Sequence, residues 1–337
     1  MYKAIKTGVL SYGMSGKLFH GPFLQLHDGF DFSAIVERSV KKARLDFPDV
    51  TSYDSVDELM NDPEVELVVI NTPNATHFEF ALHAIRQGKH VLIEKPFAVD
   101  AAQARALFEE AENHNRCILA YQNRRYDSDI ISVKEVMDSG KLGDLVEVHF
   151  RYDRYVPKLS PIEWKETPSP GSGIAYNLGA HLIDQALWLF GTPSSYTRHP
   201  GSFRQNSQVD DYAHFHLSYP SGLQVSLTMS LHVADPGPAF ILHGTKGSYY
   251  KQRTDVQEAQ LQGGIHPDDP VFGVENSGDY GLLTTISEDG SKTEEQIAAN
   301  KSTYLNVFDD VYRTIRENKP YPVTPEQIVK QLEIIAG

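Results

Sequence analysis

The residues best suited to chemistry fall into a few short clusters. Glu94-Lys95-Pro96 closes an apolar run that begins at His90. A lysine at the carboxyl end of a strand, held by a proline and beside a carboxylate, is placed to work in a cleft. Further on, Asn177, His181 and Asp184 are spaced i, i+4 and i+7, which predicts one shared helix face, with Leu178, Leu182 and Leu189 on another. A histidine backed by a carboxylate one turn on is the arrangement of a general base. The same residues equally describe a capping asparagine and a hydrogen-bonded structural histidine. Gly171-Ser172-Gly173, just before them, lets the chain approach a ligand closely.

A second set of residues reads as an anion cradle. The first apolar run leads into Ser11-Tyr12-Gly13-Met14-Ser15-Gly16, which matches G-x-G-x-x-G except that serine holds the first position. In such a turn the second glycine lets the backbone meet a pyrophosphate. The third lets helix and strand pack, and the helix N-terminus faces the anion. After the second strand comes Glu37-Arg38-Ser39, with Lys41 and Lys42 close behind. A carboxylate here would bond a ribose 2′-OH, whereas an arginine would take a 2′-phosphate. Arg38 with Ser39 is the favoured pair, with Glu37 as the alternative. Asn71-Thr72-Pro73-Asn74-Ala75-Thr76-His77 follows another strand at its carboxyl end. Ribose contact and plain helix capping by Thr76 describe it equally well.

The elements that must hold these residues alternate in the first third of the chain. Strands are expected over Ile5–Ser11, Phe30–Val36, Val65–Ile70, His90–Ile93 and Cys117–Ala120. Helices are expected over Thr76–Gln87 and Ala101–Asn113. This spacing predicts βαβ units, a parallel sheet covered on both faces and a dinucleotide-binding Rossmann domain over residues 1–121. From residue 122 to 337 the pattern changes. Leu145–Tyr152, His214–Tyr219 and Leu223–Leu231 read as strands, the last two forming a hairpin through Pro220-Ser221-Gly222. The second domain is therefore expected to be α/β with an open, mostly antiparallel sheet, one face of which meets solvent or a second subunit.

The chain has 337 residues, 40% hydrophobic and 23% charged, with a formal net charge of −14. That balance describes a soluble globular protein and argues against nucleic acid or an anionic membrane as a partner. A single cysteine, Cys117, sits in an apolar run and reads as a buried thiol in a reducing compartment. No leader pattern or membrane-length apolar run interrupts the sequence, so a cytoplasmic location is expected, and no metal site is expected.

Together these residues resemble the glucose–fructose oxidoreductase/inositol dehydrogenase (Gfo/Idh/MocA) family. The likeness runs over nearly the whole chain, through the N-terminal fingerprint, Thr72-Pro73-Asn74 with His77, Glu94-Lys95-Pro96 and the helix of His181 and Asp184. Lys17-Leu18-Phe19-His20, Asn123-Arg124-Arg125, Tyr152-Asp153-Arg154-Tyr155 and Asp184-Gln185 look like its NADP-dependent scyllo-inositol dehydrogenase branch.

The resemblance implies hydride transfer between NADP, or NAD, and a CH–OH group of a cyclic polyol or sugar. His181 would take the hydroxyl proton, Lys95 would hold and polarise the oxygen, and Asn177 and Asp184 would lie beside them. Gly13, Met14, Ser15 and Gly16 would take the pyrophosphate, and Arg38 and Ser39 the 2′-phosphate. Thr72, Pro73, Asn74, His77, Glu94 and Lys95 would complete the cofactor side. Arg124, Tyr155 and Trp164 would line the substrate side with Asn177 and His181. It further implies a cis Lys95–Pro96 bond and a homodimer or homotetramer built on the second sheet. One departure stands out, since the family usually carries aspartate where this chain has Asn177. Asparagine can hydrogen-bond but cannot tune a neighbouring charge as aspartate does. Against this stand two alternatives: a redox-neutral sugar-processing enzyme with tightly held NAD(P), and a catalytically silent dinucleotide-binding protein.

Overall fold

The computed structural model describes residues 3–162 and 166–337. Six strands form a wholly parallel sheet: β1 (Ile5–Val9), β2 (Phe30–Val36), β3 (Thr51–Tyr53), β4 (Leu67–Ile70), β5 (His90–Ile93) and β6 (Ile118–Ala120). Their spatial order is β3-β2-β1-β4-β5-β6, the doubly wound arrangement. Leu67, Val68, Val69 and Ile70 are all fully buried, as a central parallel strand covered on both faces requires. The strand order reverses between β1 and β4, and that reversal opens a crevice at their carboxyl ends. The fingerprint turn leaves β1 there, and the segment beginning at Asn71 leaves β4.

The second sheet has eight strands in the order β14-β13-β12-β11-β7-β10-β9-β8. They are β7 (Leu145–Asp153), β8 (Ser195–Gly201), β9 (Tyr212–Ser218), β10 (Gln224–Ser230), β11 (Phe240–Gly244), β12 (Gly247–Lys251), β13 (Gly281–Ile286) and β14 (Lys292–Ile297). The β9–β10 hairpin pairs antiparallel in the expected register, while β10 runs parallel to β7, the one parallel pairing in this sheet. Ala213, Phe215, Leu217, Val225, Leu227 and Met229 point to a core shared with Leu182, Ile183, Ala186 and Leu187 of the helix Ala180–Phe190. The opposite face carries His149, His214, His216 and Ser226, all half-buried.

The chain divides into two compact units. One comprises Met1–Asn123, Gln257–Phe272 and Thr303–Val329, and the other Arg124–Val256, Gly273–Ser302 and Lys330–Gly337. The first break falls close to the expected boundary after residue 121. The compact units are not continuous in sequence, since Gln257–Phe272 and Thr303–Val329 belong to the first of them. Phe308 of the helix Leu305–Glu317 stacks on Phe23 at 5.7 Å between ring centroids, and Phe272 meets the same ring at 6.0 Å. Helical periodicity reveals that such a segment has an apolar face but not which sheet it covers.

Cys117 has no disulfide and stands just before β6, half-buried where a buried strand thiol was expected, and burial raises its thiol pKa. Among the described residues, no helix is long and apolar enough to cross a membrane.

Candidate active site

The turn after β1 is built for close approach. A Cβ on Gly16 would stand 2.1 Å from the carbonyl oxygen of Ser11, so only glycine lets the helix start press onto the strand end. A Cβ on Gly13 would meet nothing nearer than Ser11 Oγ at 3.5 Å, so that side of the turn is open. Ser11 fills the first consensus position with a function of its own, because its Oγ accepts the Gly13 N–H at 3.3 Å within the turn. The Asn71 amide donates to the Ser11 carbonyl at 2.9 Å, tying the turn after β1 to the one after β4. The amides of Met14, Ser15 and Gly16 meet no acceptor among the described residues. Open first-turn donors, room at Gly13 and the positive end of a helix fit a dinucleotide pyrophosphate. The helix itself begins with one wide i→i+5 turn, Gly16–His20, before Gly21–Leu26.

At the end of β2, Glu37 is turned inward. One carboxylate oxygen accepts the amides of Lys42 at 2.6 Å and Ala43 at 3.0 Å, and the other accepts Ser52 Oγ at 2.7 Å. The residue is only 7% exposed, so its carboxylate is spent on holding the loop that follows. Lys41 is also committed, to Asp54 at 2.7 Å and to the Tyr53 carbonyl at 2.9 Å. Arg38 and Ser39 are exposed, and their side chains bond to no other described residue.

The remaining cofactor-side candidates form a braced pair of loops. Thr72 and Thr76 hydroxyls meet at 2.7 Å, and Thr76 Oγ1 donates to the Pro73 carbonyl at 2.7 Å. Pro73 is exposed, and Asn74 opens the single turn Asn74–Thr76 before the helix His77–Arg86. His77 is fully buried, with Nε2 2.8 Å from the Thr72 carbonyl and Nδ1 2.9 Å from the Pro96 carbonyl. Burial lowers its pKa, against the pull of the two carbonyls, which only accept and so favour an N–H on each nitrogen. The ring braces the two loops and has no surface of its own to offer.

The Lys95–Pro96 bond is cis and Lys95 is half-buried. Glu94 beside it accepts Ser15 Oγ at 2.7 Å and His20 Nε2 at 3.0 Å on one oxygen, and the Lys95 amide at 3.2 Å on the other. Burial pushes the Glu94 carboxyl up, but His20, Ser15 and Lys95 outweigh it and hold it below the usual carboxylate range. Glu94 and the Ser15 hydroxyl are thus occupied with each other, leaving the Ser15 backbone to face an anion.

In the second unit His181 lies on the helix Ala180–Phe190, which is preceded by another wide turn, Ala175–Gly179. The expected shared face assumed 3.6 residues per turn from Asn177 onward; the wide turn breaks that periodicity. Asn177 is exposed, whereas His181 and Asp184 are 4% and 2% exposed. Asp184 does not back the histidine as expected. Both its oxygens are held by Arg125, each at 2.7 Å, in a buried bidentate pair. Gln185 Nε2 donates to the Arg124 carbonyl at 2.9 Å, and Gln331 Nε2 to the Ala180 carbonyl at 2.6 Å.

Gly173, before this helix, serves packing. Gly173 has φ +89°, and a Cβ there would lie 2.0 Å from Asp210 Oδ1. Asp210 in turn accepts the Ala175 amide at 2.8 Å. Arg124 sits 5.5 Å from the Tyr152 ring, which Arg154 and Arg253 also face, and it pairs with Asp127 at 3.2 Å. Tyr155 is 60% exposed, and Trp164 lies outside the described residues.

Sequence reasoning quoted Arg125 and His20 only as likenesses and missed Asp210 and Ser52 altogether. Each acts through a partner distant in sequence, and no local spacing marks such a pair.

Residues 5–122 match the oxidoreductase family's NAD-binding Rossmann fold and residues 134–337 its C-terminal alpha/beta domain. The chain belongs to the Gfo/Idh/MocA family of oxidoreductases. It is 36% identical to the scyllo-inositol 2-dehydrogenase (NADP(+)) IolW of Bacillus subtilis, over 98% of this chain and 92% of that one. The uncharacterized oxidoreductase YdgJ of Escherichia coli is 34% identical over 98% of this chain and 94% of its own. The solved structure of the oxidoreductase yvaA from Bacillus subtilis superposes with a TM-score of 0.95 at 35% identity, covering 99% of this chain and 95% of that one.

Proposed function

We propose that this enzyme prefers NADP and transfers a hydride between the nicotinamide and a CH–OH group of a cyclic polyol or sugar. The cofactor supplies the hydride acceptor or donor; the chain's residues hold it and manage the proton. His181 takes the hydroxyl proton, and Lys95 holds and polarises the oxygen that bears it. Such a base contributes roughly 10²–10⁴ in rate. Tyr155, Arg124 and Trp164 serve the substrate side. Asn177, standing where the family has aspartate, offers the polyol hydrogen bonds without a charge.

The observation that carries the cofactor preference is the inward-turned Glu37. An NAD-type ribose contact needs a carboxylate free to accept the 2′-OH. Glu37 is engaged by three protein donors instead, and Arg38 with Ser39 stands open beside it. A guanidinium suits a phosphate dianion, with the hydroxyl as a further donor. The NADP(+) in the name of the IolW relative supports the same reading.

The outward face of the eight-stranded sheet, with His149, His214 and His216 half-buried, is the face we assign to a second copy of the chain. A cytoplasmic setting accords with the lone unpaired cysteine.

The test is a spectrophotometric assay of NADP⁺ and NAD⁺ reduction with a panel of inositols, aldoses and sugar acids. Reduction of NADP⁺ by an inositol or sugar, abolished in His181→Ala, is expected. Silence across the panel with cofactor binding intact would overturn the dehydrogenase reading, and light scattering checks the oligomer.

A further inference from the structure

A buried histidine adjoins the cofactor cradle, and the proposed hydride transfer gives it no role. His20 closes the wide turn Gly16–His20 and is fully buried. Its ring packs 4.4 Å from the Tyr121 ring and 6.2 Å from Phe308, edge-on to the latter. Its Nε2 lies 3.0 Å from Glu94 Oε1. Its Nδ1 is buried and has no hydrogen-bond partner among the described residues. A carboxylate only accepts, so Nε2 is the nitrogen that donates.

Glu94 is where the two halves of the candidate site join. The oxygen that takes His20 also takes Ser15 Oγ, from the turn that would meet the pyrophosphate. The other oxygen takes the amide of Lys95. A shift of this carboxylate by a fraction of an ångström is felt by both loops, because one of its oxygens holds the Ser15 hydroxyl and the other the Lys95 amide. The aromatic walls around His20 leave its ring little room to turn, so the direction of the Nε2 bond is fixed.

We infer that His20 is a positioning residue, acting through Glu94 to hold the Ser15 turn and the Lys95 backbone in the geometry that binds the dinucleotide. This rests on the NADP reading above and extends it to a residue that touches neither cofactor nor substrate.

The titratable groups facing Glu94 are His20 and Lys95. Those facing His20 are Glu94 and Tyr121, whose hydroxyl is donated to the Phe19 carbonyl at 2.9 Å. Burial pushes Glu94 up and His20 is the first of the groups that pull it down. Cofactor affinity should therefore fall as pH drops far enough to protonate Glu94, and removing the His20 bond should bring that fall on at higher pH.

The experiment is a fluorescence titration of NADPH into the full chain across a range of pH, with unfolding temperature as the check on folding. His20→Phe keeps an aromatic ring against Tyr121 and removes the donor; His20→Gln returns an N–H near the position of Nε2. His20→Phe is expected to weaken NADPH roughly tenfold, with the acid limb of binding moved to higher pH. His20→Gln is expected to restore most of both. A folded His20→Phe that binds NADPH as the wild type does at every pH would overturn the inference. Should His20→Phe not fold, Ser15→Ala tests the same hub from the surface. It is expected to weaken NADPH and raise the acid limb, and unchanged binding would again overturn the inference. If the wild type itself binds no NADPH, the cofactor reading fails first, a result distinct from all of these.

Discussion

Two helices of this molecule begin alike and are used differently. Gly16–His20 leads the cofactor helix and Ala175–Gly179 leads the His181 helix, each a single wide turn with a buried histidine, inside the turn in the first case and just beyond it in the second. In the first unit the histidine is a brace. His20 and Glu94 tie together the Ser15 hydroxyl and the Lys95 amide, while Arg38 nearby in the same unit stays exposed. In the second unit the histidine is the candidate base, and bracing falls to other residues: Asp184 with Arg125, Asp210 with the Ala175 amide, and Gln331 with the Ala180 carbonyl. A polar residue near a candidate site thus acquires its role from what it is bonded to. Glu37, the alternative ribose acceptor, and Asp184, read as the carboxylate behind His181, are both bonded to protein donors instead.

Changes that separate base from brace should differ most. His181→Ala is expected to lower turnover by about 10²–10⁴ while leaving the dissociation constant for NADPH unchanged. Steady-state rates beside a binding titration check this, and a large loss of NADPH affinity would make His181 a structural residue after all. Asp184→Asn leaves the Arg125 guanidinium buried without its counter-charge, at a cost of about 3–5 kcal/mol. Thermal unfolding should report it as a large drop, and a near-neutral result would mean that the pair does not brace the helix. Arg38→Ala should weaken NADPH roughly 10–100-fold without improving NADH, because Glu37 stays pinned by Ser52 and the two amides. A gain in NADH affinity would show that Glu37 is free to reach a ribose.

The smallest effect concerns pH. His90 accepts the Cys117 amide on Nδ1 at 3.0 Å, and burial, with Arg116 and Arg316 nearby, lowers its pKa from 6.5 to about 4. The folded state thus binds its proton later than the unfolded state does. Stability present above pH 6.5 is lost as pH falls toward about 4. His90→Gln should flatten that decline in pH-resolved unfolding.

Much of the first unit was legible because parallel strands buried on both faces are written as apolar runs. Phe30–Val36, His90–Ile93 and Ala101–Asn113 stand at their expected bounds. The second and third fingerprint glycines likewise behave as their spacing implies, one open and one pressed on Ser11. Three things were not legible. The return of Thr303–Val329 to the first unit is a long-range packing choice. The pairing of Arg125 with Asp184 joins residues whose separation follows no helical or strand period. The wide turn at Ala175–Gly179 breaks the 3.6-residue count on which the shared face of Asn177, His181 and Asp184 rested.

The central claim is that an inward-turned Glu37 and an open Arg38 select the phosphorylated cofactor. Parallel titrations of the wild-type protein with NADPH and NADH test it most directly. NADPH is expected to bind at least roughly tenfold more tightly. NADH binding as tightly as NADPH, or more so, would contradict it.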